Sequence, residues 1–332
     1  MRGKTVLLGG NVLRSKILGA MALIAATALP VTAHGAEFGA SPWLKGYTDI
    51  FGGVLPTAPG LYFRTDAYHY SGDVAATIFN GRIQAGVDQE YTATVPAFTY
   101  VTPWKLFGGT YAVVVAPTIV TMDVDVSLSV PAFTGPLGLT RGPFTFARGD
   151  TNLALGDSVF SPGILGWNEG NFHWNVGLFI QAPTGDYSTS QLANTSLNHW
   201  SIMPRFAATY FDPQTGWQAT GAAIYTWSFE NDATNYTTGD ILNLEGTVTK
   251  NFGPLGLGLA GYAMIQTTGD SGAGARLGSF KSEVYGLGPI ASFTTSADPS
   301  KALTVILKWY HEFEAQNAFE GDTVDVAVSF KF

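Results

Sequence analysis

The eleven residues Asp322-Thr-Val-Asp-Val-Ala-Val-Ser-Phe-Lys-Phe332 alternate in character along their length. In an extended chain successive side chains point to opposite faces. Val324, Val326, Val328, Phe330 and Phe332 therefore share one face, and Thr323, Asp325, Ala327, Ser329 and Lys331 share the other. The stretch predicts a ribbon with one apolar surface and one polar surface.

Working back from this stretch, the same alternation recurs with clear punctuation. Over 301–314 it sets Leu303, Val305, Leu307, Trp309 and Phe313 against Thr304, Lys308, Tyr310 and Glu312. Over 217–230 it sets Trp217, Ala223, Tyr225, Trp227 and Phe229 against Gln218, Thr220, Thr226, Ser228 and Glu230. The segments 199–210 and 172–182 behave alike. Further candidate strands lie at 60–70, 82–101, 108–130, 153–167, 240–251, 255–267 and 280–295. Aromatic residues stand near the ends of the apolar faces. Short turns at 102–107, 168–171, 212–216, 252–254 and 298–300 alternate with longer loops at 131–151, 183–198, 231–239, 268–279 and 315–321. This predicts about twelve strands, or fourteen if either long early segment is split.

Ahead of the strands, Arg2, Lys4, Arg14 and Lys16 precede an apolar run from Ile17 to Leu29, and small residues follow. That order is read as a secretory signal peptide over 1–35, with cleavage between Ala33 and Ala36. The run is shorter than the ~20 residues a spanning helix needs.

Composition narrows the class. The chain has 40 Gly, 22 Phe, 14 Tyr, 8 Trp and no Cys, and 13% of its residues are charged. Without cysteine a disulfide scaffold is excluded. The net charge is −8, and the leader holds four of the 17 basic residues and none of the 25 acidic ones. The remainder, with 13 basic against 25 acidic residues, stands at −12, which excludes a nucleic-acid partner. Hydrophobicity is spread over alternating strands and never gathered into one segment, the pattern of a transmembrane barrel. The expectation is an all-β fold: a transmembrane antiparallel up-and-down β-barrel over 60–332 in a bacterial, Gram-negative outer membrane. Short turns would face the periplasm, and outer-membrane lipid would surround the wall. A soluble β-sandwich also alternates, but strands of ten or more residues and the loop-length pattern argue against it.

Several motifs bear on chemistry. Gly256-Leu-Gly258-Leu-Ala-Gly261 fits G-x-G-x-x-G, yet period two runs straight through it, which denies it the strand–turn–helix context of a dinucleotide site. His199 and Ser201 share a face, but same-face neighbours on a strand stand ~7 Å apart, too far for a nucleophile and its base. His311 lies between Tyr310 and Glu312. The oxygen-rich stretch Asn231-Asp-Ala-Thr-Asn-Tyr236 lacks calcium-loop spacing and reads as an Asx-type surface loop. No catalytic residue, metal site or cofactor is expected.

Across these segments the chain resembles the outer-membrane family named for the meta-pathway of phenol degradation, a relative of hydrocarbon-uptake barrels. The likeness is carried by Gly53-Val-Leu-Pro56 with Pro59-Gly-Leu-Tyr62, Gly156-Asp157, Leu165-Gly-Trp167, Pro183-Thr-Gly185, Asn198-His-Trp-Ser201 and Thr209-Tyr-Phe-Asp212. It continues through Glu230-Asn-Asp-Ala-Thr234, Gly261-Tyr262, Asp270-Ser-Gly272, Gly288-Pro289 and Gly321-Asp322. Ala318 stands where the family has a basic residue. The resemblance implies a barrel linked to aromatic catabolism.

The inner faces should decide the solute. The expected inner faces include Met203, Ile224, Tyr262, Met264, Ile306 and Tyr310, with few ions, Arg205, Glu230, Glu245, Lys308 and Glu312; the expected lumen path comprises Met203, Arg205, Glu230, Tyr262, Met264, Lys308, Tyr310 and Glu312. A general porin for hydrophilic solutes would carry opposing ladders of charge. The expected function is therefore passive uptake of small hydrophobic or aromatic compounds, with Tyr and Met stacking on rings. Trp43, Tyr47 and Phe51 in the segment 36–59 are expected to plug the turn end. The rivals are a filled structural or adhesin-like barrel and a lipid hydrolase. Phe332 is the expected signal to the barrel-assembly machinery.

Overall fold

The structure, a computed structural model, describes residues 41–78, 83–130, 132–134, 140–275, 278–296 and 301–332. The leader 1–35 and its cleavage region lie outside the described residues. Among the described residues sixteen strands occur: β1 (Gly60–Ile78), β2 (Ile83–Leu106), β3 (Gly109–Ala116), β4 (Ile119–Val130), β5 (Phe133–Thr134), β6 (Thr140–Arg141), β7 (Phe144–Leu155), β8 (Ser158–Glu169), β9 (Phe172–Ala182), β10 (Ser201–Phe211), β11 (Trp217–Ser228), β12 (Ile241–Phe252), β13 (Leu255–Gln266), β14 (Glu283–Thr294), β15 (Leu303–Gln316) and β16 (Glu320–Lys331). No helix occurs among the described residues.

Every neighbouring pair is antiparallel, and the sheet has no free first strand. One edge of β1 pairs with β2 from Gly60↔Val101 to Ile78↔Ile83. Its other edge pairs with β16 from Tyr62↔Lys331 to Asp73↔Glu320. β1, β2, β3 and β8 to β16 thus form a closed barrel of 12 strands, and β4 and β7 are two additions to the same 14-stranded sheet. Closure leaves no unpaired backbone edge along that wall, which a lipid surround requires.

The additions arise because two long strands break. β2 pairs with β3 over Phe98–Leu106 and with β4 over Gln84–Thr94, so β3 and β4 are one path interrupted at Pro117-Thr118. β7 and β8 are likewise interrupted at Gly156-Asp157. Pro117 has no N–H to give to a ladder, and Gly156 N donates to Thr118 O at 2.8 Å across the break. A Cβ on Gly156 would stand 2.6 Å from Val120 Cγ2. The loop expected over 131–151 is thereby corrected: its last part, from Phe144 on, belongs to β7. Phe144 through Gly149 are all exposed, so no one-sided burial imposes a readable alternation there.

The alternation predicted elsewhere is realised. Along β11 Gln218, Thr220, Ala222, Ile224 and Thr226 are buried inside the barrel, while Trp217, Ala219, Gly221 and Trp227 are exposed outside it. The outer surface carries Val248, Leu257, Leu259, Leu287 and Leu307 in its middle. Aromatic pairs mark its margins: Trp167–Trp174 at 6.1 Å near the short turns, and Tyr225–Trp227 at 5.1 Å near the long loops. Such belts sit where hydrocarbon meets headgroup. At the turn Phe107-Gly108 both residues have positive φ, 52° and 77°, the arrangement that matches the twist of a two-residue hairpin. In β13 Gly256 and Gly258 face inward and no helix follows them, as the alternation requires.

Candidate functional site: the lumen and the segment inside it

Residues 41–59 run through the lumen before entering β1. They pass from the middle of the barrel, beside β12 and β15, to the turn end, beside β8, β9 and β10. Each step is fixed by an inward side chain of the wall.

Glu245 on β12 is the principal anchor. Its Oε1 accepts from Trp43 Nε1 at 3.1 Å and from Gly46 N at 2.9 Å, and its Oε2 accepts from Thr48 N at 2.8 Å. A buried carboxylate that accepts three N–H bonds is well solvated by the protein itself. On β15, Lys308 Nζ donates to Gly46 O at 2.7 Å and Tyr47 O at 3.0 Å and pairs with Asp325 at 2.9 Å. Tyr310 OH donates to Gly46 O at 3.0 Å. Gly46 has φ +70°, and a Cβ there would lie 2.7 Å from the Tyr310 ring. Glu312 accepts from Tyr262 OH at 2.6 Å, from Tyr70 OH at 2.9 Å and from Gly321 N at 2.8 Å, and pairs with Lys45. Arg64 on β1 pairs with Asp49 and with Asp66, and Tyr47 OH donates to Asp66 at 3.2 Å. Lower down, Gln218 and Thr220 donate to Ile50 O, and Gly53 N donates to Thr209 Oγ1 at 3.0 Å.

The structure gathers most of the residues singled out in the sequence. Met203, Tyr262, Met264, Lys308, Tyr310 and Glu312 are buried in the interior, and Arg205 is half-buried there. Trp43 is buried, Tyr47 lies beside it with ring centroids 5.7 Å apart, and Phe51 is 38% exposed toward the turn end. Glu230 is corrected: β11 ends at Ser228, so Glu230 stands exposed in the following loop and never reaches the lumen. Lys45, Asp49, Arg64, Asp66 and Asp325 complete the interior charge network but were not singled out. Arg64 and Asp66 share the inward parity of Tyr62, Tyr68 and Tyr70, a signal that resolving the faces of 60–70 would have found.

The segment does not fill the barrel. A cavity of about 1600 Å³ extends from Tyr91, Met122 and Asn194 at the loop end to Ala302 and Lys331 at the turn end. Its wall is mainly apolar. It includes Thr118 and Asp157, the residues at the two strand interruptions. Asp157 holds the loop 183–198 against the wall, accepting from Gln181 Nε2 at 2.6 Å, Leu197 N at 2.8 Å and Gly185 N at 3.1 Å.

Ser201 Oγ lies 3.2 Å from His199 Nδ1, closer than an extended chain allows. Asn198 at φ 56° turns the chain before β10 begins, so His199 is off the strand and its ring folds back. The pair is buried on the inner side, and His199 Nδ1 also lies 3.1 Å from Trp200 O. His311 is exposed on the outer wall, 3.2 Å from Asp322. Asn231 Oδ1 accepts from Ala233 N at 3.1 Å, an Asx-type turn. Outside the barrel, at the loop end of β1, β2 and β4, Asp73, Asp88 and Asp125 stand in direct cross-strand register beside a concavity of about 830 Å³.

The family model named for the MetA pathway of phenol degradation matches residues 71–328. An outer membrane channel of Pseudomonas putida is similar with a TM-score of 0.58 and 14% identity, over 84% of this chain and 97% of that one. A FadL homologue of Pseudomonas aeruginosa gives 0.41 and 8%, over 82% and 90% of the two chains. The translocator domain of the autotransporter NalP from Neisseria meningitidis gives 0.38 and 11%, over 99% and 100%. A comparison with curated protein sequences gives no match. The likeness to the Pseudomonas putida outer membrane channel is one of fold.

Proposed function

The chain belongs to the family named for the MetA pathway of phenol degradation, and on that premise we propose that it is an outer-membrane channel for passive uptake of small hydrophobic or aromatic compounds. The observation that carries this reading is the cavity. It is lined by much of the segment 41–59 and has mostly apolar walls, among them Phe179, Tyr91 and Met122. Ligand cavities are typically apolar with a few placed polar groups. A hydrophilic porin would instead oppose acidic and basic rows across open water, whereas here Lys45, Arg64 and Lys308 are already paired with carboxylates.

In this reading the short turns face the periplasm and the long loops face outward. The segment 41–59 is a plug that narrows the lumen to a path fit for single rings and chains. Thr118 and Asp157, where β3–β4 and β7–β8 are interrupted, line the cavity at the wall, and exchange of apolar solute with the membrane there is part of this reading. No reaction is assigned. The buried, inward Ser201–His199 pair gives no support to a lipid hydrolase acting on the outer face, and the cavity gives none to a filled structural barrel.

The test is uptake of labelled toluene and phenol by cells with and without the protein, beside bilayer conductance of the refolded chain. Faster uptake with small conductance supports the proposal. A large steady ion current would replace it with a general porin, and neither effect would leave a closed barrel.

A further inference from the structure

The interior cations are of two kinds. Lys45 pairs with Glu312, Arg64 with Asp49 and Asp66, and Lys308 with Asp325. Arg205 has no carboxylate within ion-pair distance among the described residues. It donates instead to two neutral acceptors, Asn175 Oδ1 at 3.0 Å and Gly52 O at 3.1 Å. Its Nε is buried and meets no acceptor. The guanidinium lies 6.0 Å from the centre of the Trp43 ring, and Trp43 meets Phe179 edge to face at 5.6 Å. All three side chains line the cavity.

A guanidinium cannot shed its proton in a protein, so this charge is not relieved by titration. A guanidinium partly withdrawn from water, with only neutral acceptors in direct contact, is incompletely compensated. A ligand that brings a carboxylate into contact offsets that cost, and a ring attached to it meets the side chains of Trp43 and Phe179 on the same cavity wall.

We propose that Arg205, Trp43 and Phe179 form a subsite for an aromatic compound bearing an anionic oxygen, an aromatic carboxylate above all. The oxygen takes the free edge of the guanidinium and the ring packs against Trp43 and Phe179. The subsite rests on the channel reading, since it lies on the same cavity, but binding can be measured apart from passage.

The test measures benzoate and toluene binding to the refolded full chain in detergent by titration calorimetry, with toluene flux into vesicles run in parallel. Arg205→Gln should weaken benzoate about tenfold or more, the loss of one charge-assisted contact, with toluene changed less than about twofold. Arg205→Lys should fall between, because a point charge replaces the fork. Gln keeps a donor for Gly52 O, so a residue that merely clamps the segment would leave benzoate binding unmoved, and that outcome overturns the proposal. So does benzoate binding no tighter than toluene in the native chain. If Arg205→Gln does not fold, Arg205→Lys carries the test: weaker benzoate with toluene unchanged supports the subsite, and equal binding of both overturns it. Benzoate binding without toluene flux would remove the channel reading and leave the subsite standing.

Discussion

Glu245 holds three donors of the inner segment at once, and its removal strands all three. Glu245→Ala leaves Trp43 Nε1, Gly46 N and Thr48 N without their acceptor. The segment should lose about 2–3 kcal/mol of hold, the worth of one charge-assisted bond, with water replacing the others. Single-channel recording should show larger or more frequent openings than in the native chain; unchanged conductance would mean the anchor is redundant. Gly46→Ala should act in the same direction by a different route. It places a Cβ at positive φ, costing roughly 1–2 kcal/mol, and presses it on Tyr310. The inward role of Lys308, Tyr310 and Glu312 was legible because parity on a strand leaves two choices, and outward Leu307 and Trp309 decide between them. Their partners were not legible: Lys45 and Glu312 are 267 residues apart, and no local rule links them. Glu230 was misplaced because parity has no end-stop; it continues on paper after the strand has stopped.

At the scale of elements, β9 was readable to the residue and β10 through β16 to within a few. Each has one exposed, mainly apolar face and one face turned into the barrel, and the sequence records that asymmetry. β7 was unreadable because both its faces are exposed over Phe144–Gly149. The paired β1, β2 and β4 ends carry a different cost. Asp88 lies directly between Asp73 and Asp125, and like charges directly opposite repel. Asp88→Asn should therefore stabilise the barrel by about 0.2–1 kcal/mol. The gain should show as a higher midpoint of thermal unfolding in low-salt detergent and shrink in high salt, where screening does the same work. The start of β10 supplies a pH response. Burial holds the His199 imidazole below its ordinary value, and the nearby Asp157 carboxylate acts the other way without winning. The unfolded chain then binds the proton more readily than the folded one, so stability falls as pH drops below about 6.5. Thermal midpoints measured from pH 7.5 to 5 should decline more steeply in the native chain than in His199→Gln; parallel curves would remove His199 from the account.

On the scale of the whole molecule, closure was legible in the loop-length rhythm and in the last strand, whose apolar face is outward as read. Phe332 N donates to Leu61 O at 3.0 Å, and its ring lies 6.1 Å from Phe63, so the final residue fastens the seam between β16 and β1. Exchange of Phe332 for Ser should lower the yield of folded barrel in cells more than it lowers the thermal midpoint of what does fold, if the residue is read during assembly. Equal losses would make it a packing residue only. The inner segment joins β1 directly at Gly60, after Tyr62 OH has caught Ala58 O at 2.9 Å. It is therefore a ligand tied to its own receptor by a few residues. A short tether of this kind sets an effective concentration of the order of millimolar, whatever the number of barrels in the membrane. Occupancy of the lumen is thus independent of expression level. A single proteolytic cut between Pro56 and Gly60 would turn it into an ordinary dissociation, emptied by dilution.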